Sequence, residues 1–246
     1  MAQDRGYFIA KEEIKFTREI GRTSLGLLGL ELTELPPELW ELTELKHLSL
    51  GYLVVAPRNH LTTLPDEIGN LTQLRSLDLL GNRLTELPET FVKLSQLETL
   101  SIAENDFAVL PECLLHLPQL QDLSIGNNEF VEPPEWIAKL TGLKKLSLSH
   151  VKLNSIPESI SNLTELRSLA IYQSNLADVP SWIGSLTQLE ELWLAGNRIS
   201  DIPSSLAQLE HLEKLNLGGN PLNPELSLAY GQGVEAVKTY LRTKNL

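Results

Sequence analysis

Apolar and polar positions along this chain follow a unit that repeats itself. From Leu74 the order is Leu74, Leu77, Leu79, Asn82, Leu84, Leu87, Pro88, Phe91 and Leu94, and it restarts at Leu97, Leu120, Leu143, Leu166, Leu189 and Leu212. The period is 23 residues. Upstream, Leu45, Leu48 and Leu50 open another unit, and Leu25, Leu27, Leu32, Leu35 and Pro36 mark a degenerate one beginning near Arg22, which brings the registers to nine.

Each Leu-x-Leu segment alternates as a strand does, so its leucines turn inward while the residues between them face solvent. One short parallel strand per unit is expected. The asparagine suits a buried turn, where its amide satisfies backbone groups left unpaired as the chain reverses. In the Leu-Pro half, proline ends the strand pattern, and apolar residues three apart predict a helical or 3-10 turn. One such unit cannot bury its apolar edge alone, so the ends of the array require covers. Met1 to Gly21 carries Tyr7, Phe8, Ile14, Phe16 and Ile20 among charges and predicts a helical segment over the first repeat. Asn223, Pro224 and Glu225 read as an N-cap, a first-turn proline and a first-turn acid, and Val234, Val237 and Leu241 recur at helical spacing. The expected organisation is therefore an N-terminal cap over 1–21, repeats over 22–222 and a C-terminal helical cap over 223–246.

These residues resemble the leucine-rich repeats of intracellular Ras-related scaffolds, plant Ras-group-related repeat proteins and bacterial Roco proteins, over nearly the whole chain. The resemblance implies an α/β leucine-rich-repeat solenoid: a curved horseshoe with a parallel sheet on its concave face and short helical or 3-10 turns on its convex face. It also implies a protein-protein interaction module, with a small GTPase or a Roc-type domain as the candidate partner. The stretch from Asn220-Pro221-Leu222-Asn223-Pro224-Glu225-Leu226 to Tyr240-Leu241-Arg242 resembles the segment that joins repeats to the GTPase domain in Roco proteins. The sequence through Leu246 holds no G-x-x-x-x-G-K-[ST] loop. The alternative expectation is thus a regulatory region, or a fragment, of a Roco-type GTPase.

In a repeat array the framework explains the fold, so function is sought where the pattern is broken or free. Leu50 and Asn59 stand nine residues apart instead of three, an insertion of six residues within Gly51 to Arg58. This loop either grips a partner or folds Leu53, Val54 and Val55 back over the N-terminal segment. Val151 and Ser174 replace the turn asparagine in consecutive units, which changes local curvature or is drift within a stable stack. The solvent-facing strand positions are mostly small, at Gly26, Ser49, Ser101, Ala103, Ser124, Gly126 and Ser147, until His150, Tyr172, Gln173 and Trp193 appear on adjacent strands. Lys144, Lys145 and Arg167 flank them on one side, Glu190 and Glu191 on the other. An exposed Trp beside a Tyr, rimmed by charge, has the composition of an interface hot spot, so the partner-binding residues expected are Lys145, His150, Tyr172, Gln173, Glu191 and Trp193. The competing reading is two aromatics stacked on each other over the sheet. Trp40, Trp136 and Trp182 fall beside the Leu-Pro turns and are expected to pack there.

Composition narrows the partner. The 20 Lys and Arg against 32 Asp and Glu give a formal charge of −12, which repels nucleic-acid phosphates and favours a partner with a basic surface. Cys113 is the only cysteine, so neither an intrachain disulfide nor a cysteine-rich metal site can form. No apolar run of signal-peptide or membrane-spanning length occurs, so the expected location is cytoplasmic without membrane association. The sequons at Asn70 and Asn162 follow from a Leu-Thr-rich repeat.

Catalytic chemistry finds no seat in the pattern, and no cofactor or metal is expected. His47 and His150 both face the sheet but lie four strands apart, about 19 Å by strand spacing, against the roughly 2 Å needed for zinc ligation. Ser147 and His150 have no orienting carboxylate forced beside them. Cys113 sits in a turn where a small hydrophobe packs. Paired carboxylates occur without a pocket signal. An open solenoid face offers little concavity for a small molecule, which leaves ligand recognition on the aromatic patch as a third reading.

Overall fold

The computed structural model describes residues 2–51, 57–153 and 155–244. The chain divides into two compact units, Met1–Glu129 and Phe130–Leu246. The first holds helix α1 (Ala2–Glu19) and strands β1 (Ser24–Gly26), β2 (His47–Ser49), β3 (Ser76–Asp78), β4 (Thr99–Ser101) and β5 (Asp122–Ser124). The second holds β6 (Lys145–Ser147), β7 (Ser168–Ala170), β8 (Glu191–Trp193), β9 (Lys214–Asn216), α2 (Pro224–Gly231) and α3 (Val234–Thr243). Each unit is an α/β solenoid segment in which consecutive strands pair in parallel and each strand is followed by a return turn.

The central leucines align across the strands: Leu25, Leu48, Leu77, Leu100 and Leu123 in the first unit, Leu146, Leu169, Leu192 and Leu215 in the second. The return path is equally regular. Proline precedes or opens each 3-10 turn, and one large apolar residue per turn is fully buried, as at Leu39, Ile68 and Phe91, then Ile137, Ile160, Ile183 and Leu206. That residue's N–H donates to the proline carbonyl three residues back, at 2.9 Å for Phe91 and Pro88. Trp40, in the turn Pro37–Glu41, is buried, whereas Trp136 and Trp182 are half-buried in their turns.

The asparagine ladder joins one repeat to the next. Asn105 Nδ2 donates to Leu79 O at 2.9 Å and Ile102 O at 3.1 Å, while its Oδ1 accepts from Leu84 N at 2.9 Å. Asn82 and Asn128 bond in the same way within the first unit, Asn197 and Asn220 in the second. Asn59 also belongs to the ladder: its Oδ1 accepts from Leu30 N and Leu32 N, and its Nδ2 donates to Leu27 O at 2.6 Å and Leu50 O at 2.9 Å. The six-residue insertion therefore leaves the strand register and the ladder intact. The expectations for Leu53, Val54 and Val55 lie outside the described residues. At the edges of the insertion, Gly51 is buried so tightly that a Cβ would sit 2.4 Å from Leu80 N and O, and Arg58 reaches Glu104 at 2.6 Å.

Where asparagine is missing, the two replacements behave differently. Ser174 Oγ donates to Tyr172 O at 2.8 Å and to Leu148 O at 3.4 Å, keeping part of the ladder, and its N–H goes to Asn197 Oδ1. Val151 is buried as a core residue, and Ser149 Oγ meets a backbone group there by accepting from Tyr172 N at 3.1 Å.

The ends differ from the sequence expectation in detail. In α1 only one face, Gly6, Ala10, Ile14 and Thr17, is buried; Phe8, Phe16 and Ile20 point outward, because at 100° per residue they lie away from Ile14. After Asn223, whose side chain accepts from Leu226 N at 2.8 Å, two helices form, since Gly233 adopts φ 102° and breaks the segment. Val237 and Leu241 of α3 are buried, and the buried Lys238 donates to Leu212 O at 3.1 Å and pairs with Glu235 at 2.9 Å.

Replacing Asn105 by Ala leaves the buried Leu84 N–H without its acceptor and removes one of two donors each from Leu79 O and Ile102 O, and a loss of about 2 kcal/mol is expected. Urea denaturation of Asn105→Ala against the wild type, followed by circular dichroism, measures it; an unchanged midpoint would contradict the ladder's role.

Candidate functional site

From Asn82 onward, the residue before each ladder position has a positive φ. Gly81, Glu104 and Asn127 occupy it in the first unit, at 70°, 53° and 52°; His150, Gln173, Gly196 and Gly219 occupy it in the second, at 61°, 48°, 69° and 72°. The turn from strand to asparagine demands the left-handed conformation, which costs a residue with a Cβ roughly 1 kcal/mol or more. Backbone N–H groups there donate to the next repeat, His150 N to Tyr172 O at 2.8 Å and Gln173 N to Ala195 O at 3.0 Å. The result is an edge column in which side chains stand on a fixed, closely spaced backbone.

In the second unit this column borders an open hollow of about 460 Å³, lined by His150, Tyr172, Gln173, Ala195, Gly196, Gly218 and Gly219. The walls are the His150 imidazole, the Tyr172 phenol and the Gln173 amide. The floor is backbone, because four of the seven lining positions, Ala195, Gly196, Gly218 and Gly219, carry no more than a methyl group. Gln173 leans over Gly196, where an added Cβ would meet Gln173 Cγ at 2.8 Å. The open face thus has more concavity here than the sequence pattern suggests.

Tyr172 and Trp193 form a tilted pair, ring centroids 6.2 Å apart and planes at 51°, so the aromatics touch each other without stacking face to face. Trp193 remains half-exposed, and its Nε1–H donates to Glu191 Oε2 at 3.2 Å. Glu191 also accepts from Ser168 Oγ at 3.2 Å and from Lys214 Nζ at 2.5 Å. The Lys214 ammonium is the main reason that the Glu191 carboxyl lies below its ordinary value of 4.5. Burial, followed by the Glu191 charge, pushes the Tyr172 phenol up.

The six residues singled out in the sequence thus divide. His150, Tyr172 and Gln173 line the hollow; Trp193 and Glu191 join it through the ring pair and the Nε1 bond; exposed Lys145 at the start of β6 is not among the lining residues. The flanking charges meet across neighbouring strands, Arg167 with Glu190 at 2.6 Å, as Lys214 does with Glu191. Ala103 and Gly126, expected to face solvent, are buried; they lie two residues past the ends of their strands. Sequence reasoning missed Gly196, Gly218, Gly219, Ser149 and Lys214. The repeated Gly-Asn pairs at 81–82, 196–197 and 219–220 were the legible sign of the left-handed column.

Charge also separates between the units. Met1–Glu129 carries ten Lys and Arg against twenty Asp and Glu, whereas Phe130–Leu246 carries ten against twelve. The acidic excess that favours a basic partner therefore belongs to the first unit, and the aromatic patch is nearly neutral ground. Among the described residues, no group of three or more His, Cys, Asp or Glu could hold a metal ion, and no helix is long and apolar enough to cross a membrane. Ser147 Oγ lies 3.4 Å from Ser149 Oγ. Cys113 is half-buried in the turn Glu112–His116, and burial pushes its thiol up to about 11.

Two measurements follow. Lifting the Cys113 thiol from 9.0 to about 11 cuts its thiolate at pH 8 roughly a hundredfold, so iodoacetamide is expected to alkylate the folded chain about that much more slowly than the urea-unfolded chain. For Glu191, the ionised form is the one held by Lys214, so the contact persists at neutral pH and is lost as pH falls. The fluorescence difference between wild type and Trp193→Phe is expected to titrate with a midpoint below 4.5, and Lys214→Ala should raise that midpoint; a midpoint indifferent to Lys214 would remove the ion pair from the account.

The comparisons with known proteins bear on this geometry. The family description "Leucine-rich repeat region" matches residues 36–131, 58–178 and 112–223. Comparison with curated proteins gave no match. Among solved structures, a leucine-rich-repeat protein of Leptospira interrogans is 26% identical over 89% of this chain and 66% of its own, with a TM-score of 0.57. The plant peptide hormone receptor RGFR1 in complex with RGF2 is 34% identical over 81% of this chain and 32% of its own, with a TM-score of 0.62. The Arabidopsis receptor kinase HAESA, in complex with the peptide hormone IDA and a co-receptor, is 26% identical over 82% of this chain and 40% of its own, with a TM-score of 0.60. This chain thus spans less than two thirds of the length of each. With its repeats matched over most of its length and its strands, turns and ladder stacked as described, the chain belongs to the leucine-rich-repeat family.

Proposed function

We propose that the chain is a non-enzymatic interaction module, acting as a cytoplasmic signalling scaffold, that holds a protein partner on the solvent face of the sheet in residues 130–246. Lys145, His150, Tyr172, Gln173, Glu191 and Trp193 are the contact residues in this reading. The observation that carries it is the hollow beside Tyr172. A glycine floor lets a partner's backbone come close, and the Gln173 amide offers both a donor and an acceptor to a peptide group. The Tyr172–Trp193 pair supplies rigid apolar area of the kind that dominates interface energies. The near-neutral charge of this unit means that shape and hydrogen bonding, more than electrostatic steering, select the partner. The receptors similar in structure are in complex with peptide hormones, which supports a partner presenting an extended segment.

A small GTPase or Roc-type domain is the partner class that the family resemblance favours. A second reading, a regulatory region of a Roco-type GTPase, rests on the 220–242 segment, which caps α2 through Asn223 and continues into α3. A coding sequence that runs on past Leu246 into a strand and a phosphate-binding loop supports that reading, and a stop codon counts against it.

Affinity capture from native lysate, comparing the wild type with a Tyr172→Ala, Trp193→Ala double variant, tests the main proposal. Loss of one specific protein is expected, with affinity down at least tenfold, since hot-spot truncations cost about 2 kcal/mol or more each. Equal capture by both forms, with folding unchanged by circular dichroism, removes the patch as the interface.

A further inference from the structure

We infer that the outward face of α1 is a second docking surface and that its occupant is a basic amphipathic helix of a partner protein. Of the large apolar side chains exposed among the described residues, four belong to one short segment: Phe8 at 64%, Ile9 at 37%, Phe16 at 49% and Ile20 at 55%. The others, Leu28, Val92, Val109, Val131 and Leu228, are scattered along the rest of the chain. Positions 9, 16 and 20 are spaced by seven and four and so share one line on a helix. Ile20 keeps helical placement beyond Glu19, its N–H donating to Phe16 O at 3.1 Å. This stripe lies about 90° around the helix from the centre of the face that packs on the first repeat, where Gly6 comes so near that a Cβ would stand 1.8 Å from Leu30 O. The helix thus carries an exposed apolar stripe beside its buried face, which packing on the first repeat leaves uncovered.

Charge selects the occupant. Of the four basic side chains of α1, Lys11 is held on Glu38 and Arg18 on Glu41, both at 2.7 Å, and Arg5 and Lys15 are exposed, fewer than the exposed carboxylates beside the stripe. Glu12, Glu13 and Glu19 are exposed and flank the stripe, without an ion-pair partner among the described residues. The unit to which α1 belongs has twenty acidic against ten basic residues. An apolar line between carboxylates matches a partner helix whose own apolar line is bordered by Lys or Arg, the helix-on-helix counterpart of groove recognition. A second copy fits poorly: the antiparallel pairing that sets Ile9 against Phe16 also sets Glu12 against Glu13. Anionic lipid is repelled by the same carboxylates.

The test uses the full chain and an 18-residue Lys/Leu peptide patterned as an amphipathic helix, with a scrambled peptide of identical composition as control. Fluorescence anisotropy is expected to show binding of the patterned peptide that falls at least tenfold in Phe16→Ser, Ile20→Ser and severalfold in Glu12→Gln, Glu13→Gln, with little binding of the scrambled peptide. All four side chains are exposed, so circular dichroism should stay unchanged. Equal affinity of wild type and the Phe16, Ile20 variant, or equal binding of the two peptides, overturns the proposal. So does self-association in sedimentation velocity that Phe16→Ser abolishes while the peptide fails to bind, which hands the face to a second copy. Binding to phosphatidylcholine vesicles in place of the peptide assigns it to lipid and overturns it likewise.

Discussion

A buried amide that answers several backbone groups at once is the interaction on which the rest of this structure depends. Each repeat reverses direction within a few residues of its strand, and the reversal leaves carbonyls and N–H groups inside the protein without strand partners. Asn59, Asn82, Asn105 and Asn128 in one unit, and Asn197 and Asn220 in the other, bond to carbonyls of their own repeat and of the repeat before. Leucine burial then supplies the gain from stacking, but the amides decide where each turn sits. Six extra residues after Gly51 are tolerated for this reason: Asn59 reaches the same carbonyls, and the strands on either side stay in register.

The same turn generates the functional edge. In the regular units, from Gly81 to Gly219, a left-handed residue stands immediately before the ladder position whatever side chain it carries. Where glycine fills it, the backbone lies bare; where His150 and Gln173 fill it, a polar side chain stands on strained backbone beside bare neighbours. The hollow is the boundary between these two cases. Function here grows out of a folding constraint, since the positions that the turn leaves free are the ones that acquire recognition chemistry.

Electrostatics separates the two candidate surfaces. Around Tyr172 and Trp193 the carboxylates are engaged by Lys214 and Arg167, so the patch meets a partner through shape, aromatic area and hydrogen bonds. On α1 Lys11 and Arg18 are engaged by Glu38 and Glu41, while Glu12, Glu13 and Glu19, with Arg5 and Lys15, stay in solvent around the apolar stripe. One net charge for the chain conceals two different environments.

The repeat, its strand and its turn were legible in the sequence because they rest on local spacing: leucines that alternate, a proline that stops the strand, an asparagine at a set distance. The clustering of His150, Tyr172, Gln173 and Trp193 was legible for the same reason, as a constant period converts distance along the chain into neighbouring strands. Other features were decided only in three dimensions. That Arg167 meets Glu190, and Lys214 meets Glu191, depends on side chains reaching across strands. That Gly196, Gly218 and Gly219 make a floor depends on which way the turn faces. That Phe16 and Ile20 look outward while Ile14 looks inward depends on which side of α1 meets Leu30. Periodicity determines which residues share a face, and packing determines which face is covered.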